Sequence, residues 1–114
     1  MNVQFPRFFR ILLSKNLLWH KKTSSKVIYL TFDDGPVPEV TPQVLDILDK
    51  YGWKATFFCV GENVKRYPEL YTEICRRGHK TGNHTFNHIK GFGVSTKTYI
   101  ENVCEASKFI HSNL

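Results

Sequence analysis

The sequence predicts an α/β fold in which about three strand–helix units build a sheet or barrel of parallel strands. Segments rich in β-branched, aromatic and apolar residues alternate with segments of helical periodicity, always in the order strand, loop, helix. The composition, 41% hydrophobic and 14% aromatic, is typical of a globular protein. With 114 residues, the chain forms one domain at most.

The first unit begins with a buried strand. This strand is predicted over Lys26–Phe32, because the segment is apolar on both faces. It ends at Asp33–Pro36, where glycine and proline interrupt regular structure. A helix then begins with Thr41 as N-cap and Pro42 in the first turn, and Gly52 ends it. The predicted apolar stripe of this helix consists of Val44, Ile47, Leu48 and Tyr51.

The second unit repeats the pattern. A short buried strand is predicted over Ala55–Val60 and stops at Gly61. The following helix begins at Pro68 and ends at Gly78, since proline is favoured in a first turn and glycine just past a last one. The residues predicted to share its apolar face are Leu70, Tyr71, Ile74 and Cys75.

The third unit has a weaker strand, predicted over His79–Gly82. The pattern Thr98-x-x-Glu101 has the spacing of a capping box, in which the two side chains satisfy free N–H groups at a helix start. It therefore predicts the beginning of the last helix. The residues predicted to face inward from this helix are Tyr99, Val103, Ala106 and Ile110.

Residues 1–25 are predicted to form a basic amphipathic arm ahead of the domain at 26–114. Six of the 16 basic residues lie before residue 27 with no acidic residue among them, and the other ten balance the ten acidic residues. The domain itself therefore carries no net charge that would favour nucleic acid. The arm either contacts an anionic membrane surface or packs over the domain, and its helical spacing favours packing.

No signal peptide or membrane-spanning segment is expected. The longest uninterrupted apolar runs in the arm are Ile11–Leu13 and Leu17–Trp19, which are too short for the core of a signal peptide. No segment approaches the length that crosses a bilayer. These observations predict a protein that is cytoplasmic or peripheral to the cell envelope.

Two polar motifs follow predicted strands. Asp33 and Asp34 come after the first strand, and His84 and His88, four residues apart, come after the third. Residues at that spacing lie side by side on a helical turn, so two imidazoles can reach one ion. Taken alone, the histidines are explained as surface or core residues, and Asp-Gly-Pro is explained as a turn. Together they favour one divalent metal with three protein ligands and a position open for water, as in hydrolytic sites.

Three segments together resemble the polysaccharide deacetylase family, a carbohydrate esterase group that contains the NodB homology domain. They are Thr31–Pro36, Ala55–Gly61 and Gly82–His88. The resemblance implies a distorted (β/α) barrel, of which this chain would form a part with about three βα units. It also implies a hydrolase that removes acetyl groups from N-acetylated or O-acetylated polysaccharides in a metal-dependent reaction.

The resemblance further implies roles for the polar residues. Asp33 is expected to be the catalytic base, and Asp34 is expected to bind the metal with His84 and His88. Two neutral imidazoles and one carboxylate suit Zn²⁺, which is therefore the expected cofactor. An acetylated carbohydrate is the expected partner, and the motifs identify no substrate-binding residue.

The sequence departs from the family pattern after the histidine motif. Similar proteins carry an Arg-Pro segment, an Asp-containing segment and a general-acid histidine there, and none of these precedes Leu114. Residues 26–114 are therefore expected to be the N-terminal part of a deacetylase domain, truncated before the general acid. Such a part leaves an edge strand unpaired. We therefore expect it to be marginally stable or to pair with another segment of polypeptide.

Two alternatives remain open from the sequence. The chain is either an inactive metal- or glycan-binding fragment, which the missing general acid favours, or a non-haem Fe(II) oxygenase. Two histidines and one carboxylate also form the ligand set of those oxygenases. An oxygenase gives Asp33 no role, which favours the deacetylase.

Overall fold

The computed structural model describes residues 24–110, which form a three-stranded parallel sheet with four helices. The strands are β1 (Thr31–Asp33), β2 (Thr56–Cys59) and β3 (Lys80–Asn83). The helices are α1 (Thr41–Lys50), α2 (Gly61–Arg66), α3 (Pro68–Arg76) and α4 (Thr96–Ser107). The predicted arm at 1–25 falls almost entirely outside the described residues, so its structure and its membrane contact stay predictions.

The strand order is the chain order, β1-β2-β3, and both pairs of neighbours are parallel. In the register, Phe57 of β2 lies opposite Phe32 of β1 on one side and Thr81 of β3 on the other. The predicted α/β class and the parallel sheet are therefore confirmed. Because the strands run in one direction, the segments that follow β1 and β3 meet at the same edge.

The first strand is much shorter than predicted. It covers Thr31–Asp33 instead of Lys26–Phe32, and Ile28 and Tyr29 are 74% and 66% exposed. The prediction of a buried strand apolar on both faces was therefore wrong for this segment. The reason is the length of its neighbour, since pairing with β2 begins only at Thr31, and no other described strand flanks β1.

Helix α1 begins one residue away from its predicted cap. Val40 occupies the N-cap position, and Thr41 is the first helical residue. The buried hydroxyl of Thr41 instead accepts a hydrogen bond of 2.8 Å from the Val37 N–H. This contact ties the helix to the loop that precedes it. The predicted end at Gly52 is confirmed, with φ at +64° and the Gly52 N–H bonded to the Asp49 carbonyl.

The buried face of α1 also differs from the prediction. Leu45 and Leu48 are buried, whereas Ile47 and Tyr51 are more than half exposed. Residues 45 and 48 are one helical turn apart, but residue 47 lies on the opposite side of the helix from residue 45. Leu45 therefore takes the core position that the sequence analysis gave to Ile47.

Helix α2 was not predicted. Gly61 was expected only to stop β2, but it is the first residue of this six-residue helix. A side chain at Gly61 would bring its Cβ to 2.9 Å from both the Cα of Ala106 and the Cδ2 of Phe86. Glycine is required at this position because α4 and the loop after β3 approach its backbone too closely for a methyl group. The predicted start of the next helix at Pro68 is confirmed.

Helix α4 begins two residues before the predicted capping box. Ser95 is the N-cap, and its hydroxyl accepts a 3.1 Å hydrogen bond from the Thr98 N–H. The prediction of a cap at Thr98 was wrong because Ser95 satisfies that free N–H group instead. Of the residues predicted to face inward, Ala106 and Ile110 are buried, and Tyr99 and Val103 are half-buried.

The hydrophobic core lies where the helices pack against the sheet. Its buried members include Leu45, Phe57, Cys59, Ile74 and Ala106. Burial, and to a smaller extent the neighbouring Cys75, raises the pKa of the Cys59 thiol to about 12, so this cysteine stays a protonated core residue. Within residues 24–110, no helix has the length and hydrophobicity needed to cross a membrane.

Candidate metal centre

Three side chains converge at the edge where β1 and β3 end. One carboxylate oxygen of Asp34, Oδ1, lies 3.2 Å from Nε2 of His84 and 3.1 Å from Nε2 of His88. The two imidazole rings are 5.0 Å apart between centroids. The ligand atoms of the three residues all lie within 4.8 Å of one another. The structure therefore brings together the three residues that the sequence analysis singled out as metal ligands.

The donor set and its spacing fit a zinc ion. Zinc binds histidine nitrogen and carboxylate oxygen at about 2.0–2.2 Å in a tetrahedral arrangement, which separates neighbouring ligand atoms by about 3.3–3.6 Å. The separations of 3.1 and 3.2 Å from Asp34 are close to that range. Asp34 and His88 are exposed and His84 is half-buried, so a fourth position facing solvent is available. The residues present are of the types that bind this ion, and their ligand atoms lie no more than 4.8 Å apart.

Asp34 is held through its backbone. It follows β1 directly, with φ at +70°. Asn63 of α2 donates a 2.8 Å hydrogen bond from Nδ2 to the Asp34 carbonyl, and the next carbonyl, that of Gly35, accepts one of 2.9 Å from the Val60 N–H. Asn63 of α2 and Val60, the N-cap of the same helix, therefore fix the loop that presents this carboxylate.

The spacing of the two histidines predicted a helical turn, and this prediction was wrong. The segment between them is an irregular loop, and Thr85 and His88 have φ at +65° and +57°. A helix would keep these angles negative. The left-handed conformation is costly, above all for a β-branched residue such as Thr85, so the surrounding contacts must hold it.

Backbone hydrogen bonds from β2 and α2 hold the start of this loop. The His84 N–H donates to the Cys59 carbonyl at 2.9 Å. The carbonyls of Thr85 and Phe86 accept hydrogen bonds of 2.9 and 2.8 Å from the N–H groups of Gly61 and Glu62. These are N–H groups of the first turn of α2, which have no partner within their own helix. The same short helix thus contacts both loops of the candidate site.

Side chains complete the loop. Asn83 Oδ1 accepts a 2.8 Å hydrogen bond from the Thr85 N–H, a local turn that supports a left-handed residue. Asn83 Nδ2 donates to the Val103 carbonyl and to Ser107 Oγ, both at 2.9 Å. The Thr85 hydroxyl accepts from the Ile89 N–H at 3.1 Å. Asn102 of α4 also contacts the loop, since its Oδ1 accepts a hydrogen bond from the Phe86 N–H. The sequence analysis missed Asn83 and Asn102 as contacts of this loop; the signal in the sequence was a short amide side chain close to the histidine motif and another on the next helix.

Asp33, the predicted base, directly precedes Asp34 in the chain and is not one of the three grouped side chains. It is the last residue of β1 and is exposed. It lines one cleft together with Asp34 and Phe57. The two neighbouring aspartates thus line the same cleft, and only Asp34 belongs to the grouped side chains.

Unusual backbone angles concentrate at this edge of the sheet. Among residues 24–110, the non-glycine residues with positive φ are Asp34, Thr85 and His88. Two of them are candidate metal ligands, and the third directly follows His84. Strained residues of this kind persist where the surrounding structure fixes them and are typical of functional sites.

Comparisons with known proteins identify the family to which this chain is similar. Residues 20–114 match a protein family described as polysaccharide deacetylase. The chain is 42% identical over 91 residues to a peptidoglycan-N-acetylglucosamine deacetylase of Bacillus cereus, covering 80% of this chain and 43% of that protein. It is 39% identical over 88 residues to a chitooligosaccharide deacetylase of Sinorhizobium fredii, covering 77% of this chain and 41% of that protein.

A solved structure shows the same fold. The peptidoglycan deacetylase PdaC of Bacillus subtilis superposes with a TM-score of 0.72 at 40% identity, covering 75% of this chain and 43% of that chain. The present chain therefore spans less than half the length of the relatives named here.

Proposed function

The chain belongs to the polysaccharide deacetylase family, and on that premise we propose that it takes part in removing acetyl groups from an acetylated polysaccharide. The relatives are deacetylases that act on peptidoglycan or on chitooligosaccharides. The single observation that carries the proposal is the grouping of Asp34, His84 and His88 within 4.8 Å at the carboxyl edge of the sheet.

We propose Zn²⁺ as the ion that these three residues hold. Two imidazoles and one carboxylate with an open fourth position are a ligand set of catalytic zinc sites. When bound, zinc supplies a Lewis acid that polarises a carbonyl and lowers the pKa of a bound water to about 7. The family match favours this hydrolytic use of the ligand set over the Fe(II) oxygenase considered from the sequence.

Asp33 is proposed as the base that accepts a proton from the attacking water. Its carboxylate is exposed at the end of β1 and shares a cleft with Asp34, so it can accept a proton without displacing a ligand. A positioned base of this kind contributes roughly 10²–10⁴-fold to a rate. In this proposal the two adjacent aspartates have different roles: Asp34 binds the ion, and Asp33 accepts the proton.

Acetate release from an N-acetylglucosamine oligomer tests the proposal. The zinc-loaded chain should release acetate, and Asp33→Asn should reduce the rate by about 10²–10⁴-fold while it keeps zinc bound. Glu39→Gln, an exposed acid outside the cluster, is the matched control and should not change the rate. Zinc binding without acetate release above background would contradict the enzymatic function and support an inactive metal- or glycan-binding role.

A further inference from the structure

We propose that Asn102 on α4 is a positioning residue that fixes the loop between His84 and His88 and so sets the affinity of the site for zinc. The inference rests on the proposed function, because it takes Asp34, His84 and His88 to be the metal ligands. Among the hydrogen bonds of residues 24–110, none joins Asn102 to any of these three side chains. Asn102 acts through the loop.

The contacts of Asn102 fall between the two histidines. Its Oδ1 accepts a 2.7 Å hydrogen bond from the Phe86 N–H, and its Nδ2 donates one of 3.0 Å to Asn87 Oδ1. One side chain therefore holds two consecutive loop residues, one by the backbone and one by the side chain. The amide group of asparagine is suited to this because it offers an acceptor and a donor at once.

The loop needs such a hold because of its backbone. Thr85 and His88, on either side of the residues that Asn102 contacts, are both left-handed. Asn83 fixes the first of these residues by accepting from the Thr85 N–H. The second has no comparable side-chain contact to its own backbone among the hydrogen bonds of the described residues, so the hold at residues 86 and 87 bears on where His88 lies.

The position of His88 matters to the ion. Both imidazole nitrogens must reach an ion that Asp34 also binds, and they lie 3.2 and 3.1 Å from the same Asp34 oxygen. If residues 86 and 87 drift, His88 moves relative to His84 and the three ligand atoms no longer surround one point. Partners that orient metal ligands in this way are typically worth about 10–100-fold in metal affinity.

Two variants of Asn102 test the inference. Asn102→Leu keeps the approximate shape and removes both hydrogen bonds. Asn102→Asp keeps the acceptor for the Phe86 N–H, and the Asn87 amide can rotate to donate to it. The matched control is Glu101→Ala. Glu101 is the preceding residue of α4, is exposed, and pairs among residues 24–110 with Lys97 at 3.9 Å.

The measurement is the Kd for zinc of the full chain, by competition with a coloured chelator at high salt, which screens the charge that aspartate adds. Asn102→Leu should raise the Kd by about 10–100-fold, and Asn102→Asp and Glu101→Ala should stay within about threefold of the parent chain. Urea unfolding of the metal-free variants, followed by circular dichroism, reports stability separately.

Three results would overturn the inference. A Kd of Asn102→Leu equal to that of the parent chain would remove the positioning role and leave the proposed function intact. A loss of affinity that Asn102→Asp fails to restore, together with an equal loss of metal-free stability, would reduce Asn102 to a structural residue. A parent chain that binds no zinc would defeat the proposed function first and this inference with it.

Discussion

Two histidines flank the same strand and have opposite surroundings. His79 precedes β3 and is 2% exposed, with Nδ1 accepting a 3.2 Å hydrogen bond from the Ala55 N–H and its ring edge-on to Phe57. His84 follows β3, is half-buried, and brings Nε2 to 3.2 Å from Asp34. The residue type is the same at both ends of β3. Its environment differs, with a buried packing position at the amino end and a candidate metal ligand at the carboxyl end.

The two ends also differ in what fixes the backbone. At the amino end, apolar packing around Phe57 and Ile74 holds the chain, and the positive φ next to His79 belongs to a glycine, Gly78, at +79°. At the carboxyl end, side-chain and backbone hydrogen bonds hold left-handed residues in an exposed loop. Packing therefore determines the fold, while a separate set of polar contacts determines the geometry of the candidate site.

The largest expected effect is a loss of zinc affinity on changing a residue at the carboxyl end of β3. His84→Ala removes one of three ligands and should weaken zinc binding by more than the roughly 100-fold upper range of indirect changes. His79→Asn, at the other end of β3, should leave the Kd for zinc within about twofold. Isothermal titration of zinc into both variants checks this. Equal losses in the two variants would mean that the two ends are not independent.

The next largest expected effect is a loss of stability on changing a residue of the hydrophobic core. Leu45→Ala empties a fully buried position and should lower the free energy of unfolding by about 2–5 kcal/mol. Ile47→Ala is the matched control on the same helix; its side chain is 56% exposed, so a change of about 0.5 kcal/mol or less is expected. Urea denaturation measures both. A larger loss for Ile47 would restore the apolar stripe predicted from the sequence.

The smallest effect concerns pH. Burial, with a smaller contribution from the charge of Lys54, lowers the pKa of His79, while Asp49 opposes the shift and Arg77 adds to it. A lowered folded-state pKa means that the unfolded state binds the proton more tightly. The stability that neutral His79 contributes is therefore present above the ordinary histidine pKa of about 6.5 and is lost as the pH falls below it.

The test compares the parent chain with His79→Asn, whose side chain can accept from the Ala55 N–H without titrating. Metal-free protein should lose free energy of unfolding between about pH 7.5 and pH 5.5, by no more than about 1.4 kcal/mol per pH unit from this one group. The asparagine variant should show a flatter profile. Parallel profiles would remove His79 as a source of the pH dependence.

Much of the fold was accessible from the sequence because apolar patterning reports burial. The alternation of strands and helices predicted the parallel sheet, and proline and glycine located the start of α3 and the end of α1. The failures have local causes. The first strand was overestimated because an apolar segment such as 26–30 looks buried whether or not a neighbour covers it.

The candidate site was accessible in part. Placing the motifs at strand ends brought the two aspartates and the two histidines to one edge of the sheet. The family resemblance then singled out Asp34 as the ligand, and the structure groups it with His84 and His88. The conformation that groups them did not follow, because a spacing of four predicted a helical turn where the structure has a loop. That loop depends on Asn102, 14 residues beyond His88 along the chain, and contacts of this kind leave no periodic signal in a sequence.

Helix α2 is hydrogen-bonded to both loops of the candidate site, and this limits where insertions and deletions can be tolerated. Its six residues contact the carbonyl of Asp34 through Asn63 and the carbonyls of Thr85 and Phe86 through Gly61 and Glu62. Inserting or deleting one residue in Gly61–Arg66 would rotate these donors about the helix axis and separate the two loops. Among the described residues, the exposed stretch at 91–94 makes no hydrogen bond to either loop, so homologous chains should vary in length there and keep α2 constant.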